Sequence, residues 1–429
     1  MLRLKQALSA CMLASVLVPS VAAHATTYYV ATNGNNANNG TSEETPFRTI
    51  GKAVDIMIAG DTTYVRGGTY NTETVILFRR SGTASAPIKL LNYPGESPVI
   101  DFVDFRVGKT VTILHATGQT GAIGYLTIEG FEIKNGHDGI KFHALHNSVM
   151  RRNWIHDNKN QGILGIGGHH NLFDRNTVNH NGNFLGCAAG HVTSSGGTVC
   201  NQTHGMYMHG DSYIITNNLI YDNLAYGIQQ NGFGTSFYSP SRHPSPEFSG
   251  AANWIIANNT LAYHNHRGGI VVWGSECANA RIENNIFYEN SVNQSGFAQG
   301  IDFVSSTSTG ITIRNNLAYA TPPGSTVFLG SGANEWVHYT QSGNLVNVSD
   351  PAFVNAPATL LAASSFALTA RSPAIDTGLP LATAKIDFNG TPRPQGRATD
   401  IGAYEYTAGG DVEPPITPTT LGVNQKPRN

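Results

Sequence analysis

The stretch THGMYMHG, residues 203–210, sets two imidazoles and a phenol among alternating methionines. Successive side chains of an extended strand face opposite ways, so Met206 and Met208 share one face while Tyr207 and His209 share the other, with His204 just ahead of them. An imidazole beside a phenol can take a proton from carbon and give one to a leaving oxygen, which is general acid–base chemistry. His204, Tyr207 and His209 are therefore the candidate catalytic residues. Lys141, His143, Tyr226, Gln229, Asn231, Arg267 and Trp273 are the candidate substrate contacts. Lys141 or Arg267 would neutralise an anionic group, the amides would bind hydroxyls, and the rings of Tyr226 and Trp273 would stack on a flat ligand face.

These residues belong to a repeating unit. One half of it reads NGHDGIKFHA, NKNQGILGIG, QTHGMYMHG, LAYGIQQNG, HRGGIVVWG and FAQGIDFVS, and the other half places Asn153, Asn176, Asn218, Asn259, Asn285 and Asn316 in one column. The intervals Gly139 to Gly162 and Gly205 to Gly227 are 23 and 22 residues. A period of that size marks a solenoid, and short Gly-Ile strands joined by Asn turns make it a right-handed parallel β-helix. Stacked asparagines that bond the neighbouring turn would form an internal ladder.

Counting from each Gly-Ile start gives outward columns. The first is Lys141, Leu164, Tyr207, Gln229, Val271 and Asp302; the second is His143, Ile166, His209, Asn231, Trp273 and Val304. Ahead of the glycines stand Asp138, Gln161, His204, Tyr226, Gly268 and Gln299. Two intervals, Gly162 to Gly205 and Gly227 to Gly269, are nearly doubled by an insertion or an extra coil. The insertions around Cys187 to Cys200 and Phe233 to Gly250 would wall a groove beside the histidine-rich coil.

The chain opens with Arg3 and Lys5, an apolar run and Ala23-His24-Ala25, the pattern of a signal peptide over residues 1–25, so the protein is expected to be secreted, extracellular or periplasmic. No later apolar segment approaches the ~20 residues of a membrane span. Loss of the leader takes the formal net charge from −2 to −4, which gives no basic surface for nucleic acid. Residues 26–407 form the β-helix domain, with clear coils over 121–319, and 408–429 a disordered tail poor in apolar residues. Over 45–58, Phe47, Ile50, Val54 and Met57 recur at helical spacing and predict a short helix capping the open end. SPAIDTGLP and DFNGTPRPQGRATDIGAYEY read as turns and short strands completing the helix. In an exported protein a Cys187–Cys200 disulfide is expected, with Cys277 left as a buried thiol.

The opening YYVATNGNNANNGTSEETPFRTIGKAVDIMIAGDTTYVRGGTY resembles the start of secreted bacterial right-handed β-helix proteins, including pectate lyases of polysaccharide lyase family nine. DFNGTPRPQGRATDIGAYEY is similar to the closing segment of many bacterial surface and secreted β-helix proteins. The resemblance implies the architecture over most of the mature chain. It also implies an aspartate cluster for calcium and a lysine base on the central coils, and no Asp-rich segment here matches. Calcium thus stays open as a cofactor, with no site and no metal ligand assigned. His264-Asn265-His266 sits in a turn without a third ligand, and the turn column Asp157, His180, Asp222 reads as solvated.

The expected activity is that of a polysaccharide lyase cleaving an acidic, uronate-containing polymer by β-elimination, which needs a cation or donors at the carboxylate, a base for the C5 proton and an acid for the leaving oxygen. A uronan C5-epimerase would share the proton abstraction. A glycoside hydrolase would need two carboxylates at ~5–9.5 Å, whereas the outward face offers Asp138 and Asp302 at opposite ends of the repeat, with Asp211 nearby. A non-catalytic glycan-binding or surface β-helix protein is the alternative outside enzymes. The expected protein is a monomer whose partner is the acidic polysaccharide.

Overall fold

A computed structural model describes residues 25–408, apart from 73, 104–109, 114–122, 193–195, 233–249, 275, 294–297, 305–307, 323, 331–338, 348 and 357–364. Residues 1–24 of the leader and 409–429 of the tail lie outside the described residues. Among the described residues three sheets of 11, 10 and 9 strands run along the molecule, every pairing between coils being parallel. This is the right-handed β-helix expected from the repeat. No helix among the described residues is long and apolar enough to cross a membrane.

The nine-stranded sheet carries the Gly-Ile strands. Ile140, Ile163, Met206, Ile228, Ile270 and Ile301 are register neighbours from coil to coil and are fully buried. Each such side chain stabilises the fold by about 1.5–3 kcal/mol through the apolar surface it removes from water. Gly165 makes room in the next inward column, since a Cβ there would lie 2.3 Å from the Phe142 ring. The Ile163–His169 strand pairs directly with Met206–Asp211, and Ile228–Asn231 with Ile270–Trp273. Both doubled intervals are therefore insertions.

The Asn-Asn signature has a physical division of labour. Asn217, Asn258, Asn284 and Asn315 hold positive φ of 50–56°, which Asn tolerates better than most residues. The asparagine that follows each points inward, and these residues, with Asn176 after Arg175, bond from coil to coil: Asn176 to Asn218 at 3.0 Å, Asn218 to Asn259 at 2.9 Å and Asn259 to Asn285 at 3.0 Å. A second ladder runs five residues further along each coil through Asn158, Asn181, Asn223, His264 and Asn290. His264 takes an asparagine's place there: its Nδ1 accepts from Asn223 N–H at 3.3 Å, and burial drives its pKa down to about 3.

At the N-terminal end α1, Ile50–Ile56, caps the coils, with Thr49 accepting from Lys52 N–H and Ile50, Ala53 and Val54 buried. It is shorter than the expected 45–58 because Phe47 instead forms a parallel bridge with Val30. At the other end 372–406 adds no coil. It covers the outer face of the ten-stranded sheet, where Leu219, Tyr221, Ala262, Ile286 and Leu317 present apolar side chains that need a partner. A fully buried Arg393–Glu405 pair at 2.9 Å pins this segment.

On the same sheet an ionic chain crosses the coils. His156 Nδ1 lies 2.7 Å from Asp157 and Nε2 3.3 Å from Glu132, which also holds Lys134 at 2.7 Å; His180 lies 2.7 Å from Asp222. Burial acts against charging His156, but the two carboxylates outweigh it and raise its pKa. A raised histidine pKa contributes stability that is complete below the unfolded value of about 6.5 and is lost as pH rises through the folded value. Urea midpoints are therefore expected to fall as pH is raised above that point, and to fall less steeply in His156→Gln.

Candidate functional site

The strand register aligns the first outward column as read from the sequence: Lys141, Leu164, Tyr207, Gln229, Val271 and Asp302 stand on consecutive rungs. His143, Ile166 and His209 align in the second, as do Asn231, Trp273 and Val304. Rungs are ~4.8 Å apart, so Lys141 and Tyr207, separated by the single rung of Leu164, stand roughly 10 Å apart.

The columns differ in exposure along their length. Lys141, His143, Leu164, Ile166, Tyr207 and Trp273 are half-buried, whereas Gln229, Asn231 and Asp302 are buried although they face outward. His204, Tyr207 and His209 were expected to share a solvent face, and only Tyr207 does so. Its hydroxyl oxygen accepts from Asn231 Nδ2 at 2.9 Å, and burial raises its pKa, leaving a protonated phenol on the outward face. His209 is fully covered; burial lowers its pKa to about 4, so its ring is neutral near pH 7.

His204 has another task. It is 2% exposed and its Nδ1 accepts from Tyr226 N–H at 3.1 Å. The same relation links Asp138 to Gln161 N–H and Gln161 to His204 N–H, so the positions ahead of the glycines form a side-chain-to-backbone ladder. Burial first, and then the charge of Arg267, lowers the His204 pKa to about 3. The ring stacks on Tyr207 at 5.7 Å and braces it from the side.

Tyr226 is also buried, which removes it as a stacking surface: its hydroxyl donates to Asp302 Oδ2 at 2.7 Å. Burial raises the Asp302 pKa, while half-buried Arg267 acts electrostatically on both partners. Beside this coil the Cys187–Cys200 disulfide joins α2, Phe184–Ala188, to α3, Val199–Gln202, as expected, and Cys277 is the buried free thiol. Of the second expected wall, 233–249 lies outside the described residues.

A stacked parallel helix with this outward site matches one described family over most of its coils: the Pel9A-like right-handed β-helix region aligns with residues 28–294. The chain belongs to this family. Pectate lyase PEL9 of Emericella nidulans is 47% identical over 73 residues, which is 17% of this chain and 18% of that protein. The crystal structure of pectate lyase Pel9A superposes with a TM-score of 0.55 at 18% identity, covering 89% of this chain and 96% of that one. PfbA, a surface adhesin of Streptococcus pneumoniae, superposes with a TM-score of 0.50 at 11% identity over 69% of this chain and 74% of its own. At these identities the superpositions establish the fold.

Among the described residues, the outward carboxylates Asp138, Asp211 and Asp302 of this Pel9A-like helix do not converge. Asp138 accepts from Asn160 and from Gln161 N–H, Asp211 from Ser212 and Asn253, and Asp302 from Tyr226. Calcium takes six to eight oxygens in one cage, and these three carboxylates do not form one. Asp138, just ahead of the Ile140–His146 strand, and Asp302, on Ile301–Val304, stand five rungs apart in the nine-stranded sheet, roughly 24 Å, so this pair does not have the hydrolase spacing.

Sequence reasoning missed the Tyr226–Asp302 bond, whose partners are 76 residues apart. It missed the second ladder too, although its five-residue offset from the first was present in the chain and only His264 interrupts it.

Proposed function

We propose that this chain is an exported polysaccharide lyase that cleaves an acidic polysaccharide by β-elimination. The supporting observation is the half-exposed Tyr207 phenol, held by Asn231 and braced by His204, with neutral His209 two residues on along the same face. In this reading His209 takes the C5 proton once substrate parts the side chains covering it, and Tyr207 protonates the leaving glycosidic oxygen. Arg267 neutralises the carboxylate of the reacting sugar. Lys141, two rungs away, meets the carboxylate of another, while half-buried Leu164 and Ile166 between them pack against the apolar face of a ring. The fold of pectate lyase Pel9A puts pectate first among the substrates to try.

The second reading is glycan binding without catalysis. The Oδ1 of Asn231 is buried without a partner and suits a sugar hydroxyl, and PfbA, an adhesin, shares the fold. Incubation with pectate, alginate, glycosaminoglycan and ulvan separates the readings. Unsaturated uronate ends are expected from one of them, and Lys141→Ala is expected to raise KM several-fold with kcat little changed. New reducing ends without unsaturation would mean hydrolysis, inverted C5 centres without cleavage an epimerase, and retention of intact polymer a binding protein.

A further inference from the structure

The insertion ahead of the histidine-rich coil meets a turn remote in sequence through one of its sulfurs. Cys187 Sγ lies 3.2 Å from His266 Nε2, a contact between residues 79 apart in sequence. Both sulfurs and that nitrogen lie within 4.8 Å of one another, and all three residues are half-exposed. The backbone of His266 is fixed by its main-chain N–H donating to Leu224 O at 3.0 Å, and the residue immediately precedes Arg267. The histidine thus faces one sulfur of the bridge in particular, on a surface that a thiol can reach.

We propose that Cys187–Cys200 is a thiol-exchangeable bridge in which His266 selects Cys187 as the leaving sulfur. Exchange proceeds by in-line attack of a thiolate on one sulfur, and the other departs faster the lower its thiol pKa. An imidazole N–H or imidazolium against a sulfur stabilises its thiolate. An external thiolate therefore attacks Cys200 Sγ, the S–S bond breaks, a mixed disulfide forms on Cys200, and the electron pair leaves on Cys187 beside His266 Nε2. The second thiol of a dithiol reductant then attacks the mixed disulfide, releasing Cys200 as a thiolate and leaving the reductant oxidised. In the dithiol state the loop bounded by α2 and α3 is no longer closed on itself next to the turn that carries Arg267. Cys277, fully buried, stays out of the exchange.

The test is brief exposure of the oxidised protein to a monothiol, alkylation of freed thiols and peptide mapping, with reduction rates by dithiothreitol measured alongside. The mixed disulfide is expected mainly on Cys200 and the alkyl group on Cys187, with reduction slowed roughly three- to ten-fold in both His266→Ala and His266→Gln. An even distribution or a mixed disulfide mainly on Cys187 in the unaltered protein would overturn the proposal, as would an unchanged rate in the two variants. The mapping needs no variant, so a folding failure of either substitution leaves the test intact.

Discussion

Tyr207→Phe is expected to lower the rate of unsaturated-end formation by about 10²- to 10⁴-fold, the usual contribution of a positioned acid or base. The substitution keeps the ring that stacks on His204 and removes the hydroxyl that Asn231 contacts. Losing one partner of this partly buried hydrogen bond costs at most about 1–3 kcal/mol, so the variant should still fold. His209→Ala should fall by a similar factor. Because burial lowers the His209 pKa to about 4, the acid limb of the unaltered protein's kcat/KM should lie near that value, well below the range of a solvated histidine. An acid limb near 6.5, the ordinary histidine pKa, would assign the base elsewhere. Unsaturated-end formation by Tyr207→Phe at an undiminished rate, with folding confirmed, would remove the phenol from the reaction.

The largest stability effect is expected from the ladder. Asn218→Leu removes the oxygen that accepts from Asn176 N–H at 2.8 Å and from Asn176 Nδ2 at 3.0 Å, together with the donor to Phe173 O at 2.9 Å. All of these groups are buried between coils, so the loss leaves polar atoms unpaired away from bulk water. A loss of about 3–5 kcal/mol is expected, a large part of the 5–15 kcal/mol that stabilises a typical domain. Asn293→Ala, which breaks an exposed amide contact with Asn265, should change stability by under about 0.5 kcal/mol. Denaturant midpoints of the two variants give the comparison directly. Equal shifts would mean that the coils are held by their apolar columns alone.

The architecture was legible because a coil is a local unit: Gly-Ile starts and Asn-Asn turns recur from coil to coil even across the two insertions, and register then follows from counting from each start. Column membership of Lys141, Tyr207 and Asp302 came from the same count and agrees with the strand pairing. Burial was not legible. Alternation says which way Gln229 or Asp302 points, but whether an outward side chain meets water depends on residues remote in sequence. His204 looked like a catalytic histidine because its type was right. Only the stacking of coils shows that its Nδ1 faces the N–H of Tyr226. The closing segment read as more coil because Gly, Pro and Asp turns look alike wherever they pack. Its role followed from the apolar outer face of the ten-stranded sheet, which no single repeat displays.

The most direct test of the account is a crystal structure of the protein with an oligouronate, obtained on the slow Tyr207→Phe variant. A sugar chain is expected to run across the rungs of the nine-stranded sheet. One glycosidic oxygen should lie beside the position of the missing Tyr207 hydroxyl, one carboxylate against Arg267 and another near Lys141. An oligosaccharide seated on a different face, or a chain on this face with no glycosidic bond near residue 207, would contradict it.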